Sequence, residues 1–305
     1  MTIIETPTVE VTTPKRAKLY VVLAAHTIFT NPLDENGDAI MPIPPWSTGD
    51  GESSVQGKIQ CVPEFGGRAC YQSWDRPGKK TRTNQGYLAN ILRQKHESVL
   101  EHASVSFYVT GVSRALTHEL VRHRHLSYSQ LSQRYVPSDN IRFVVPPAML
   151  EEFGAVWDTA SARWNGEVKS PRTGELVTRE EGIDEMAEEW CANLHERHVG
   201  EYEAMAEFLG PEQSDIERKP KQIREAARAE LPNATETRIM LTGNFRAWKH
   251  FLIQRDSSSA DAEMQLFAAE IGRQLAEIAP NIFGAEARAL WDDGVEHGEA
   301  QTPEA

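Results

Sequence analysis

Between residues 120 and 138 the chain carries Arg122, His123, Arg124, His125 and Arg134 and no acidic residue, although the whole protein is strongly acidic. Cations this close repel one another unless an anion or buried carboxylates compensate them, and guanidinium groups are shaped for bidentate contact with phosphate. The segment therefore reads either as a binding site for a phosphate-bearing ligand or as a solvated basic turn balanced by Glu119 and Asp139. Ser132 lies in the same window but lacks the G-x-S-x-G setting that exposes a nucleophilic serine, which assigns it to binding. His118-Glu119 followed by His123 misses the zinc-protease spacing by one residue, so the two histidines would not share a helix face. Neither G-x-G-x-x-G after a strand nor G-x-x-x-x-G-K-[ST] occurs, so any nucleotide or dinucleotide site must be built another way. Cys61, Cys70 and Cys191 are odd in number and form no C-x-x-C pair, so they suggest neither a disulfide framework nor a zinc site.

The elements that must hold this segment follow from periodicity. Residues 19–25 form a short apolar run with β-branched Val21 and Val22, read as a first strand rather than a signal peptide, because Glu5 and Glu10 precede it. Tyr87, Leu88, Ile91 and Leu92 recur at helical spacing, whereas Val105, Phe107 and Val109 alternate with Ser104, Ser106, Tyr108 and Thr110 as in a half-buried strand. Ser113 can cap a short helix with Leu116 and Leu120 inward, which places the basic cluster at a helix end and the loop after it. Phe153, Val156, Trp157 and Trp164 predict one helix, and Ile183, Met186, Ala187, Trp190 and Leu194 a second. Residues 237–241 read as a strand, Asn244 as the cap of a helix carrying Phe245, Trp248, Leu252 and Ile253, and Met264, Phe267, Ile271 and Leu275 as a last helix.

The expected fold is α+β: a single domain of mixed helices around a central sheet, spanning 16–291. A flexible tail at 1–15, a Pro/Gly/Ser-rich surface insertion at about 30–58 and an acidic tail at 292–305 complete it. A net charge of −13 argues against a protein that coats nucleic acid, and no run approaches the ~18 apolar residues of a membrane helix, so neither partner is expected, while the odd, unpaired cysteines fit a reduced cytoplasm best.

Arg122-His123-Arg124, seven residues and then Ser132 resemble the Arg-His-Arg-x7-Ser signature of flavin-dependent thymidylate synthases. The resemblance extends to His96-Glu97-Ser98-Val99-Leu100-Glu101-His102, to Ser129-Gln130-Leu131-Ser132-Gln133-Arg134-Tyr135, and to Ala227-Arg228-Ala229-Glu230-Leu231-Pro232. Asn244-Phe245-Arg246-Ala247-Trp248 and Arg255 continue it in the family's order, over roughly residues 60–285, and the actinobacterial branch is the most similar. Several separated motifs in order are far more specific than one short pattern.

The resemblance implies an FAD site lined by Ser98, Arg122, His123, Arg124, Gln130, Asn244, Arg246 and His250. It implies a dUMP site lined by Glu119, Arg122, Gln130, Ser132, Gln133, Arg134, Arg228 and Arg255, with Arg255 the catalytic group that stabilises the uracil ring as an anion. Methylenetetrahydrofolate and NADPH are the implied co-substrates, and a homotetramer with active sites shared between subunits the implied assembly. The unrelated folate-dependent thymidylate synthases use a cysteine in a Pro-Cys context. Here the cysteines follow Gln60, Ala69 and Trp190. Two other readings of the basic cluster are a nucleotide-binding hydrolase or transferase without flavin, and a non-catalytic nucleotide-binding module. The chain departs from its family after Arg255. Members commonly place a flavin-contacting histidine four residues on, where this chain has Ser259.

Overall fold

The structure, a computed structural model, describes residues 16–30, 33–38, 55–74, 78–136 and 141–292. The expected tail at 1–15, the expected tail at 292–305 beyond its first residue, and most of the expected 30–58 insertion lie outside the described residues. The fold is mixed, with a four-stranded sheet ordered β1-β2-β4-β3 from strands β1 (Tyr20–His26), β2 (Ser104–Ser113), β3 (Ser127–Gln130) and β4 (Glu236–Asn244). The helices are α1 (Val55–Tyr71), α2 (Asn84–Arg93), α3 (Arg114–Leu120), α4 (Pro147–Arg163), α5 (Arg179–Leu194) and α6 (Gly200–Phe208), followed by α7 (Pro220–Ala227), α8 (Phe245–Arg255), α9 (Ala262–Ile278), α10 (Pro280–Phe283) and α11 (Ala285–Asp292). The chain divides into two compact units. One holds the described parts of 1–20, 109–122 and 129–240; the other holds those of 21–108, 123–128 and 241–305.

The second unit owes its core to aromatic packing. Trp248 meets Phe107 and Phe251 edge-on at 5.3 and 5.8 Å between centroids, and Phe251 continues to Phe267 at 5.7 Å. Such contacts add about 0.5–1.5 kcal/mol each beyond the area they bury. Trp248 is buried and its Nε1 donates to the Val105 carbonyl, which ties α8 to β2. Beside this core, Glu64 and Arg68 of α1 form a buried ion pair at 2.8 Å. The Asn84 amide of α2 donates to Glu64 and to the Gln60 carbonyl, and Asn281 of α10 donates to Asn84. Gly67 permits this approach, because a Cβ there would lie 2.3 Å from the Tyr87 hydroxyl.

In the first unit, Phe143, Val145, Ala187, Cys191, Leu194 and Val199 form a buried cluster beneath α4 and α5. Thr178 caps α5 in a capping box with Glu181. Gly111 in β2 adopts φ +71, and a Cβ there would fall on the Lys18 carbonyl.

Most expected elements are present, with Val105, Phe107 and Val109 wholly buried on one face of β2 and Tyr108 exposed on the other. Three differences stand out. The helix expected to be last, α9, is followed by α10 and α11. Helix α1 starts at Val55, inside the span expected to be insertion, although Pro63, Gly66 and Gly67 lower its helix propensity. Helices α6 and α7 and strand β3 are too polar or too short to show a clear period.

Candidate functional site

In the second unit, a cleft of about 610 Å³ is lined by Asn244, Arg246, Ala247, Lys249, His250 and Ile253 of β4 and α8, by Glu97 and Glu101 of the 3-10 turn Glu97–His102, and by His125. The cap that starts α8 also shapes its mouth. Asn244 Oδ1 accepts from the Ala247 amide at 2.8 Å, so its side chain presents the NH2 end as donor. Arg246 is half exposed and pairs with Glu101 at 2.5 Å and Glu97 at 3.8 Å. Lys249, buried, forms an ion pair with Glu97. Of the expected flavin residues, Asn244, Arg246 and His250 thus meet in one cleft, Ser98 is exposed on the adjoining turn, and Arg124 is exposed beside His125.

His123 is placed differently from its basic neighbours. It is 7% exposed, its ring packs edge-on to Phe251 at 5.1 Å, and its Nε2 accepts from Arg255 Nε at 2.8 Å. Burial first, then the charges of Arg255 and of nearby His250, lower its pKa to about 4. It is therefore neutral at physiological pH and adds nothing to the positive charge suggested by the sequence of this segment. Arg255 ends α8, where the helix dipole favours a cation. His125 and His250 approach at 6.4 Å between ring centroids.

The first unit carries the other expected nucleotide residues. Ser113 caps α3 by accepting from the Leu116 amide, and Glu119 and Arg122 follow at the end of that helix, where the Arg122 amide donates to the Glu119 carbonyl. Gln130 ends β3, its amide donating to the hydroxyls of Thr117 and Thr237 at 3.2 Å. Ser132 and Gln133 lie half-buried in the turn beyond it. Arg134 approaches Glu225 at 3.9 Å, and Arg224 of α7 donates to the Arg134 carbonyl. Arg228 caps α7, and its charge, after burial, lowers the pKa of Arg114.

Sequence reasoning gives no site role to Glu97, Glu101, Lys249 or Arg114, and takes His125 only as a member of the basic cluster. For Glu97 and Glu101 a signal exists, since both belong to the segment that carries the resemblance. The burial of Lys249 has none, because a lysine three residues from Arg246 on a helix reads as solvated. Two of the three thiols stand apart from nucleophilic chemistry: burial raises Cys61 and Cys191 to about 11, and Cys191 Sγ lies within the core, 3.8 Å from the Phe143 carbonyl.

The fold is mixed helix and sheet with a polar cleft that His125, His250 and the ion-paired Arg246 and Lys249 line, and comparison with known proteins gives its kinship. Residues 59–281 match the family described as thymidylate synthase complementing protein. The chain is 43% identical over 281 residues to the flavin-dependent thymidylate synthase of Mycobacterium avium (strain 104). It is 43% identical over 287 residues to that of Mycolicibacterium vanbaalenii, and 44% over 281 residues to that of Mycobacterium tuberculosis (strain ATCC 25618 / H37Rv). Each match covers 92% of this chain and 94% of the relative. The chain belongs to the thymidylate synthase complementing protein family, on its actinobacterial side.

Proposed function

We propose that the protein is a flavin-dependent thymidylate synthase that methylates dUMP to dTMP, with methylenetetrahydrofolate as carbon donor and NADPH as reductant. The observation that carries this reading is that Asn244, Arg246 and His250, far in sequence from the Arg-His-Arg segment, share a cleft with His125, the residue directly after it. The cleft suits a flavin nucleotide in size, within the range of about 300–1,000 Å³ usual for such ligands. It also offers flat imidazole edges, the Asn244 amide and the half-exposed guanidinium of Arg246, which can exchange Glu101 for a phosphate. When bound, FAD supplies the hydride that completes the methyl group.

The remaining chemistry falls to the chain. Arg122, Arg134 and Arg228 hold the nucleotide phosphate, Glu119, Gln130, Ser132 and Gln133 hydrogen-bond the nucleotide, and Ser98, Arg122, His123, Arg124 and Gln130 complete the cofactor site. Arg255 stabilises the uracil ring after loss of its N3 proton. It stays charged at any working pH, so it lowers the cost of that ionisation without losing its own proton. We infer also a homotetramer with shared active sites, one catalytic domain over 16–291, and a cytoplasmic location, all on the strength of the family relationship.

The deciding assay is NADPH-dependent tritium release from dUMP labelled at C5, after addition of FAD. Flavin absorbance retained on the protein together with tritium release supports the reading. A protein that binds dUMP but takes up no flavin and releases no tritium is instead a nucleotide-binding hydrolase, transferase or module. Because no covalent thiol adduct is needed, replacing Cys61, Cys70 and Cys191 together by serine is expected to leave turnover per folded, flavin-loaded molecule within about threefold, with a stability loss from the buried Cys191 site. Loss of turnover in a folded, flavin-loaded variant would overturn the mechanism.

Ser259 occupies the position of the family's flavin-contacting histidine. Its Oγ hydrogen-bonds Ser257 Oγ at 2.8 Å, and its amide donates to the same oxygen, so the side chain is engaged within its own turn. A hydroxyl has neither the reach nor the aromatic face of imidazole. Flavin retention is therefore expected to be weak, and Ser259→His is expected to tighten FAD binding by about 0.5–1.5 kcal/mol, one hydrogen bond. Fluorescence titration of both proteins with FAD decides this, equal affinities or a weaker variant refuting it.

A further inference from the structure

The proposed reading gives Arg255 the task of holding the uracil ring as an anion, and the structure shows one of the groups that holds Arg255. Its Nε lies 2.8 Å from His123 Nε2. Because that nitrogen accepts, the ring proton sits on Nδ1. The His123 ring is itself held on several sides: Phe251 packs against it at 5.1 Å and His250 at 6.5 Å between centroids. Its carbonyl accepts from the Tyr128 hydroxyl at 2.8 Å and from the Leu126 amide at 3.0 Å. A buried ring with an anchored backbone is a rigid acceptor. The guanidinium is a rigid planar fork, so holding its Nε helps to fix the plane of the whole group.

We propose that His123 is a positioning residue for Arg255: His123 Nε2 receives the Arg255 Nε–H and helps to set the guanidinium plane in which Arg255 meets the pyrimidine. This rests on the role proposed for Arg255 and is separate from the flavin contact that the family relationship implies for His123. A reacting group misplaced by about 1 Å loses rate by as much as about a hundredfold. The same histidine thereby couples the Arg-His-Arg segment to the end of α8, which explains why a neutral histidine stands between two arginines.

The test compares two polar replacements of different reach. In His123→Gln the amide oxygen extends to roughly the position of Nε2, whereas in His123→Asn it reaches only as far as Nδ1 and falls short of Arg255. At saturating FAD, His123→Asn is expected to lower kcat for dTMP formation by about ten- to a hundredfold, with the KM for dUMP within about threefold, and His123→Gln to recover most of the loss. Placed on Arg255→Ala, His123→Asn is expected to add no further loss. The N3 pKa of bound 5-fluoro-dUMP, read by ultraviolet difference spectra, is expected to rise in His123→Asn and in Arg255→Ala but not in His123→Gln. Wild-type kcat in His123→Asn, a loss that tracks FAD release, or additive losses with Arg255→Ala would each overturn the positioning role while leaving Arg255 in place. Wild-type turnover in Arg255→Ala would overturn the role of Arg255 itself, and this proposal with it.

Discussion

In the flavin-loaded protein, Arg255→Ala is expected to lower thymidylate formation by about a hundred- to a thousandfold, or about 2.7–4 kcal/mol, the usual worth of one charge-assisted contact to a developing anion. Flavin should be lost far less, because the cleft that offers Asn244, Arg246 and His250 is lined by other residues than Arg255. The magnitude follows from where the interaction acts. A contact made mainly after the ring has ionised contributes to the barrier rather than to ground-state binding, so kcat falls more than the KM for dUMP rises. Arg255→Lys should recover little, since an ammonium keeps the charge but loses both the Nε–H given to His123 and the planar fork. Tritium release at saturating dUMP, beside an FAD titration of the same preparation, is the measurement. Near-normal turnover in a folded Arg255→Ala protein would remove this residue from the chemistry.

The largest stability effect is expected at Arg68→Met, about 3–5 kcal/mol, the range found when one partner of a buried ion pair is removed. Glu64 is wholly buried and Arg68 is 4% exposed, so the replacement strands a carboxylate away from water. Two further bonds go with it, since Arg68 also donates to the carbonyls of Ser73 and Thr81. The Asn84 amide still reaches Glu64, but an amide dipole replaces a full charge poorly. Removing both charges in Glu64→Leu/Arg68→Met should therefore be less damaging than the single change, because no uncompensated charge remains. Urea unfolding of the three proteins tests this. A single variant within about 1 kcal/mol of the parent, or a double variant worse than the single, would show that the pair is not held as described.

What local chemistry controls is legible in the sequence itself. Ser113 and Asn244 read as caps because a short polar side chain ahead of an apolar period can bond the first amides of a helix, and both do so. The β2 alternation and the α8 and α9 periods are legible for the same reason: burial on one face imposes a period of 2 or 3.6 on the residues themselves. The order of the motifs is enough to indicate the family, since each motif is a short, contiguous record of one part of the site. Helices α10 and α11 are not legible, because they are short and stabilised by packing such as Phe283 on Phe245 and Trp291 rather than by their own pattern.

In the candidate site, the sequence supplies the residues themselves, but only the tertiary structure decides their protonation and pairing. By its neighbours in the chain His123 is one more cation in a basic run. Burial against Phe251 and the neighbouring charge of Arg255, which lies 132 residues away, make it neutral. Lys249 reads as a solvated helix residue, yet Glu97, from a segment 152 residues distant, closes over it. Charge and burial are set by everything within a few ångströms, and that neighbourhood is composed of chain segments whose meeting no local pattern records.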